Sequence, residues 1–421
     1  MSTFEYRARK LCCEGVGVAA VAARFGTPTY VYSRAGILAN FERLRRGLKK
    51  ISPLICYSVK ANSNLRILNL LRQAGAGFDI VSGGELERVR RVGADAARVV
   101  YSGVGKTREE IDAGLSAGIL MFNVESAGEL DLIEARAREL GKRANVSLRI
   151  NPDVEAHTHP YISTGQVIHK FGVLKGDAVE LYRRAASSTH LNVRGIACHI
   201  GSQILEVEPF LEALEELLGV AKALSGAGIS VEFLDLGGGL GIRYANEEPL
   251  DVERLMGELT RRLDGSPYRL ILEPGRALVA DAGILLARVL YVKRNEQKNF
   301  IVVDAGMNDL MRPALYGSYH EILPAQQRES RKFRADVVGP LCETGDFLAQ
   351  DREIADVTPG DLIAIMTVGA YGFVLTSNYN SRPRPAEVLV SDDTMDLIRP
   401  RERVEDLMAG EGANEKSEIR N

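Results

Sequence analysis

Leu54-Ile55-Cys56-Tyr57-Ser58-Val59-Lys60 is an apolar run that ends on a cation, and the same figure recurs twice downstream. Phe233-Leu234-Asp235-Leu236 runs into Gly237-Gly238-Gly239-Leu240-Gly241, and Leu270-Ile271-Leu272 runs into Glu273-Pro274-Gly275-Arg276. Short apolar runs of this length read as strands buried on both faces. Working outward, further strands are predicted at Phe78–Val81, Val99–Ser102, Leu120–Val124, Val146–Ile150 and Gly195–His199. Between them lie stretches of helical period, such as Gly84–Val92, Ser126–Leu140, Glu208–Leu224 and Val252–Leu263, with charges on one side and Leu, Val or Ala on the other. Eight strands alternating with helices match a TIM (β/α)8 barrel, with an open doubly wound sheet as the alternative that strand order alone leaves standing. The polar residues separate the two. An open sheet gathers chemistry at one switch point, whereas a barrel gathers it at the carboxyl ends of many strands. Here Lys60, Asp79, Ser82, His199, Gly237–Gly239, Glu273 and Arg276 follow the ends of different strands, which favours the barrel.

After Ala282 the texture changes to strand-like runs at Ile284–Tyr291, Phe300–Asp304, Phe333–Val338 and Leu362–Val368, broken by Gly, Pro and Asn turns. The chain therefore divides into a barrel over 36–282 and a mostly β C-terminal domain over 283–421, joined by 1–35. The segment Arg399–Asn421 is charged and reads as a fraying tail.

Composition narrows the partners. The 421 residues carry a net charge of −3, with 45% hydrophobic and 26% charged residues, which offers no field for nucleic acid or an anionic membrane. A small ligand is expected instead. Cys12, Cys13, Cys56, Cys198 and Cys342 are scattered, and none forms a C-x-x-C pair, so no metal site is expected and a reducing cytoplasm fits best. No apolar stretch reads as an export signal or a membrane span.

The residues at the strand ends define a chemistry. Lys60 at a barrel mouth would be partly desolvated, and a lowered pKa would make it a competent imine former; a lysine at a strand end also simply snorkels to water. The glycines 237–241 let backbone N–H groups approach an anion, and the turn after a seventh barrel strand is where phosphate is commonly held. Glu273 and Arg276 stand together after the eighth strand, where an ion pair is the structural reading. His199 is placed to stack on a ring, with Ser202 near a phosphate; a satisfied core histidine is the alternative. A lysine for an imine, glycines for a phosphate and a carboxylate for a pyridine nitrogen together point to pyridoxal 5'-phosphate.

Tyr57-Ser58-Val59-Lys60-Ala61-Asn62, His199-Ile200-Gly201-Ser202-Gln203, the glycine run 237–241 and Glu273-Pro274-Gly275-Arg276 resemble the barrel-fold decarboxylases that act on ornithine, arginine and diaminopimelate. Within that family the diaminopimelate branch is the more similar. The resemblance lies in Asn151-Pro152-Asp153, the stretch 159–165, Lys170-Phe171-Gly172, the stretch 307–316 and Cys342-Glu343-Thr344-Gly345-Asp346. It implies decarboxylation of meso-2,6-diaminopimelate to lysine, the last step of lysine biosynthesis. It further implies that Lys60 holds pyridoxal phosphate, His199 stacks on its ring and Glu273 pairs with the ring nitrogen. Asp79, Ser202, Gly238, Gly239, Gly275, Arg276 and Tyr371 would complete the cofactor site. Arg276, Arg312, Tyr316, Glu343 and Tyr371 would hold the substrate's distal end. Two guanidiniums suit its carboxylate, because each matches a planar anion in a bidentate way. Cys342, by the same resemblance, reaches the partner subunit's site in a homodimer with shared active sites; on its own it reads as a small buried hydrophobe.

Two departures touch the substrate loop: Gln166-Val167-Ile168-His169 stands where many members are more acidic or amide-rich, and Thr344 replaces a commoner serine. The competing enzyme readings are a decarboxylase of ornithine, arginine or lysine and a racemase, which Ala61-Asn62-Ser63-Asn64 after the lysine disfavours. From another class, the chain is a non-catalytic pyridoxal-phosphate-binding regulator.

Overall fold

The computed structural model describes residues 3–51, 53–154, 171–329 and 331–411. Eight parallel strands close into a barrel among these residues: β1 Leu54–Ser58, β2 Gly77–Ile80, β3 Val99–Tyr101, β4 Met121–Val124, β5 Ala144–Arg149, β6 Leu191–Ala197, β7 Phe233–Asp235 and β8 Arg269–Leu272. Closure decides against the open sheet. Strand β8 returns to β1 in parallel register, Ile271 opposite Leu54 and Leu272 opposite Ile55, so the sheet has no edge to expose.

The alternation of side chains along each strand sorts the barrel interior into layers. Leu54, Cys56, Val100, Leu120, Met121, Phe233 and Ile271 form one apolar cluster. Two residues further along the chain from Cys56, Val100, Met121, Phe233 and Ile271 come Ser58, Ser102, Asn123, Asp235 and Glu273. A step of two keeps a side chain on the same face, so a polar layer rests directly on the apolar one at the carboxyl ends of the strands. Helices between the strands carry their own stop and start signals. Ser82 caps Gly83–Arg91 by accepting the Glu85 N–H, Thr107 and Glu110 form a capping box on Arg108–Ala117, and Asp251 caps Val252–Leu263.

The chain separates into two compact units. The barrel unit is Arg34–Ala282 together with Gly369–Val374, and the second unit is Met1–Ser33, Gly283–Val368 and Leu375–Asn421. The return of residues 369–374 to the barrel is invisible in hydropathy. It is made by backbone bonds, Gly369 N–H to Ala280 carbonyl at 3.0 Å and Tyr371 N–H to Ala61 carbonyl at 2.8 Å.

The second unit is β-rich. Thr29–Ser33 is its buried middle strand, antiparallel to Gly283–Arg294 on one side and parallel to Ala386–Ser391 on the other. Every residue of that strand is buried, with Tyr30 donating to the Asp309 carbonyl at 2.6 Å and Tyr32 to Glu387 at 2.8 Å. Its core gathers Leu11, Val18, Val31, Ile284, Leu286, Val388 and other apolar side chains. The predicted strands at 284–291, 300–304, 333–338 and 362–368 are present with shifted ends, and Phe347–Ala355 and the hairpin Ala386–Ser391/Thr394–Arg399 add to them. In the segment expected to fray, a short helix forms at Val404–Leu407.

Candidate active site

The polar layer of the barrel leads to the site. Strand β1 ends at Ser58, and Val59–Ala61 turn in a single 3-10 turn that presents Lys60. Its Nζ donates to Asp79 Oδ2 at 3.1 Å, and Ser58 Oγ donates to the same oxygen at 2.7 Å. The lysine side chain is 39% exposed, whereas Asp79 is fully buried. The expected lowering of the lysine pKa is not found. Burial alone would depress it, but the Asp79 carboxylate, Tyr371 and Glu273 outweigh that and hold it above the usual lysine range. The second oxygen of Asp79, Oδ1, has no hydrogen-bond partner among the described residues.

Glu273 follows β8 and is buried. Its Oε1 accepts the Asn123 amide at 3.3 Å and the Ser102 hydroxyl at 3.4 Å, both weak and neutral donors. Burial first, then Asp235 and Asp79, push its pKa well above the carboxylate range. Glu85 accepts the Val81 N–H at 2.7 Å and is pushed up to about 7, chiefly by burial.

His199 follows β6, and its Nδ1 accepts the Gly238 N–H at 3.1 Å, which fixes the proton of the neutral ring on Nε2. Burial, Arg149 and Lys60 all hold its pKa well below the ordinary value. Arg149, at the end of β5, pairs with Glu125 at 2.8 Å and donates to the His199 carbonyl at 3.4 Å. The loop 237–239 threads closely between neighbours. A Cβ on Gly238 would stand 2.2 Å from the Glu273 carbonyl, and one on Gly239, whose φ is +94°, 2.3 Å from the Gly201 carbonyl.

Arg276 opens the short turn after Gly275, buried, with Nη2 donating to Ser202 at 3.0 Å and Nη1 to Tyr244 at 2.6 Å. Its guanidinium lies 5.1 Å from the Tyr371 ring centre and 5.6 Å from that of Tyr244. The barrel unit thus brings together Lys60, Asp79, His199, Ser202, Gly238, Gly239, Glu273, Gly275, Arg276 and Tyr371.

The remaining expected residues belong to the second unit. Arg312 starts the helix Arg312–Tyr316, buried, and donates to Ser318 at 3.2 Å; Tyr316, at the helix end, is half-buried. Cys342 is exposed rather than a buried hydrophobe, its N–H bonded to Asn380 Oδ1 at 3.0 Å, and Glu343 accepts from Tyr379 at 3.4 Å. Asp346 fixes this turn by taking the N–H groups of Leu341 at 2.7 Å and Met307 at 2.6 Å. Residues 159–165, Gln166–His169 and Lys170 lie outside the described residues.

Sequence reading missed Asn123, Ser102, Asp235, Tyr244, Arg149 and Glu125. For the first three a signal existed: each sits two residues beyond an apolar inward position.

A primary amine, a neutral imidazole, a buried carboxylate, and a hydroxyl and guanidinium beside a glycine loop are the donor set that pyridoxal phosphate requires. The orphaned Asp79 Oδ1, beside the lysine that would hold the cofactor's aldehyde carbon, is consistent with a polar ligand there.

The family model for the pyridoxal-dependent decarboxylase pyridoxal-binding domain matches residues 34–280. The diaminopimelate decarboxylase of Pseudomonas aeruginosa is 53% identical, with 98% of this chain and 99% of that protein aligned. That of Aquifex aeolicus is 48% identical over 94% of each. Among solved structures, diaminopimelate decarboxylase from M. jannaschii in co-complex with L-lysine superposes with a TM-score of 0.93 at 39% identity, covering 98% of both chains. The Helicobacter pylori enzyme complexed with L-lysine gives 0.90 at 43% identity, covering 93% of this chain and 98% of that one.

Proposed function

This chain belongs to the diaminopimelate decarboxylases of the pyridoxal-dependent decarboxylase family, and from that premise we infer that it converts meso-2,6-diaminopimelate to L-lysine and carbon dioxide. The observation that carries this reading is the placement of Lys60 and Glu273 at the ends of β1 and β8, neighbouring strands of a closed barrel.

When bound, pyridoxal phosphate supplies a heterocycle that accepts the electron pair released as carbon dioxide leaves. The side chains do the rest. Lys60 holds the cofactor through its amine, and Asp79 orients that amine. Glu273 would receive the ring nitrogen's N–H, and His199, neutral, would lie against the ring. Ser202, Arg276, Gly275 and the N–H of Gly239 would take the phosphate, with Tyr371 backing Arg276, while the Gly238 N–H holds His199 beside them. By the family resemblance, the substrate's distal amino acid centre falls to Arg276 and Tyr371 of the barrel unit and to Arg312, Tyr316 and Glu343 of the second, with guanidiniums for its carboxylate and Glu343 for its ammonium. Ornithine and lysine end in an amine and give those guanidiniums no anion to bind. Cys342 or Lys60 returns a proton to Cα.

The chain acts as a homodimer in which Cys342 serves the partner subunit's site, a reading supported by its exposed thiol and by the family resemblance. All five thiols are free, which suits a reducing cytoplasm; no helix among the described residues is long and apolar enough to cross a membrane.

Incubation of the cofactor-supplied protein with meso-diaminopimelate, ornithine and arginine separately, scoring carbon dioxide and lysine, tests the substrate. Carbon dioxide and lysine are expected from the first alone. Release from ornithine or arginine without turnover of diaminopimelate would overturn the assignment.

A further inference from the structure

Asp235 carries none of the roles given above, yet it is fully buried, with no exposed surface. It is placed inside the sheet by strand parity, two residues beyond Phe233 on β7. Its Oδ1 accepts the Gly237 N–H at 2.9 Å and its Oδ2 the Asn123 amide at 2.9 Å. Both donors are neutral. The same Asn123 nitrogen also reaches Glu273 Oε1 at 3.3 Å, so two buried carboxylates converge on one amide.

Two negative charges this close, in a site closed to water, repel strongly, and the neutral hydrogen bonds they receive do not offset that. Other titratable groups around them give little relief. Asp79 adds a third carboxylate, already engaged by Lys60; Cys56 and Cys198 are buried thiols held neutral by burial and by these same acids; His199 is neutral. Lys60 is the one cation acting on Glu273 among its principal influences, and Asp79 takes its hydrogen bond. The economical state of the pair is one charge and one proton.

We propose that Asp235 is a positioning residue for Glu273: the two carboxylates, hydrogen-bonded to each other and both to Asn123, hold a single proton between them, and that proton rests on Asp235 when Glu273 receives the cofactor's ring nitrogen. No proton is gained or lost by the pair on loading; it changes place within the pair. Burial pushes Asp235 up to about 6 and holds Glu273 well above the carboxylate range, which agrees with one shared proton near neutral pH. This inference rests on Glu273 being the partner of the ring nitrogen.

Infrared difference spectra of the cofactor-free protein at pH 8, above the values of about 7 for Glu85 and Asp309, report protonated carboxyl groups. One carboxylic acid band is expected in the unmodified chain, and either Asp235→Asn or Glu273→Gln alone should remove it, because each relieves the remaining acid of its like-charged neighbour. Cofactor affinity against pH gives the second reading. Because the pair keeps its one proton on loading, affinity falls only when a second proton is added, as pH drops through about 6. In Asp235→Asn no neighbour can take the proton from Glu273, so that acid limb should move up, toward the burial-raised pKa of Glu273 itself. A band that survives Asp235→Asn together with an unmoved acid limb would overturn the sharing. If instead Glu273→Gln left cofactor affinity and absorbance untouched, the reading of Glu273 itself would fail, a separate result. Should Asp235→Asn not fold, the band in the unmodified chain and its loss in Glu273→Gln still decide, since no band at pH 8 means no shared proton.

Discussion

Both units bury carboxylates, and they treat them in opposite ways. In the second unit the acids are paired off: Asp346 takes two backbone N–H groups, Asp309 takes the Gly306 N–H at 2.9 Å, and Glu387 is met by Arg399 and Tyr32. These acids close turns and tie strands. In the barrel, Asp79, Asp235 and Glu273 crowd one layer with Lys60 as the cation among them, and Glu273 receives weak, neutral donors from Ser102 and Asn123. A fold selected for stability alone does not accumulate like charges in its interior. The barrel layer keeps an unsettled electrostatic arrangement that a cationic heterocycle would settle, whereas the second unit is already complete.

Removing an acid from each place should therefore give opposite outcomes. Glu273→Gln should lower turnover by about 10²-fold, the scale of losing one preorganised electrostatic partner of a reacting system, while the folded chain keeps or gains stability, since a repelling charge is gone. Turnover by stopped assay and the midpoint of chemical unfolding check both halves; a destabilised but active variant would break the comparison. Asp346→Ala should do the reverse. It leaves the buried N–H of Leu341 and the half-buried N–H of Met307 without their acceptor, which costs about 3 kcal/mol, and cofactor affinity should hold. Unfolding curves alongside a cofactor titration would sharpen the contrast, and an unchanged unfolding midpoint would remove the structural role given to Asp346.

The contrast also explains what the sequence could and could not tell. The barrel was legible because strands buried on both faces are apolar runs, and residues at their carboxyl ends, Lys60, His199, Glu273 and Arg276, stand out against them. Asp235 and Asn123 were hidden inside such runs, where only the parity of the strand separates an inward polar residue from a strand end. Strand Phe347–Ala355 was missed for a different reason. Gln350, Asp351, Arg352 and Glu353 give it a loop-like composition, and its character comes from antiparallel pairing with Lys332–Val338. The position of Gly369–Val374 in the barrel unit rests on two backbone bonds that leave no trace in composition. Burial alone lowers the pKa of a strand-end amine, and at Lys60 the carboxylate of Asp79, nineteen residues downstream in sequence, reverses the sign.

Borohydride reduction of the pyridoxal-phosphate-loaded protein, followed by peptide mapping, addresses the tether on which every role above depends. A stoichiometric pyridoxyl adduct on the side chain of Lys60 is the expected result. A chain that stays colourless when given the vitamer, or an adduct on some other lysine with Lys60 untouched, would contradict the account.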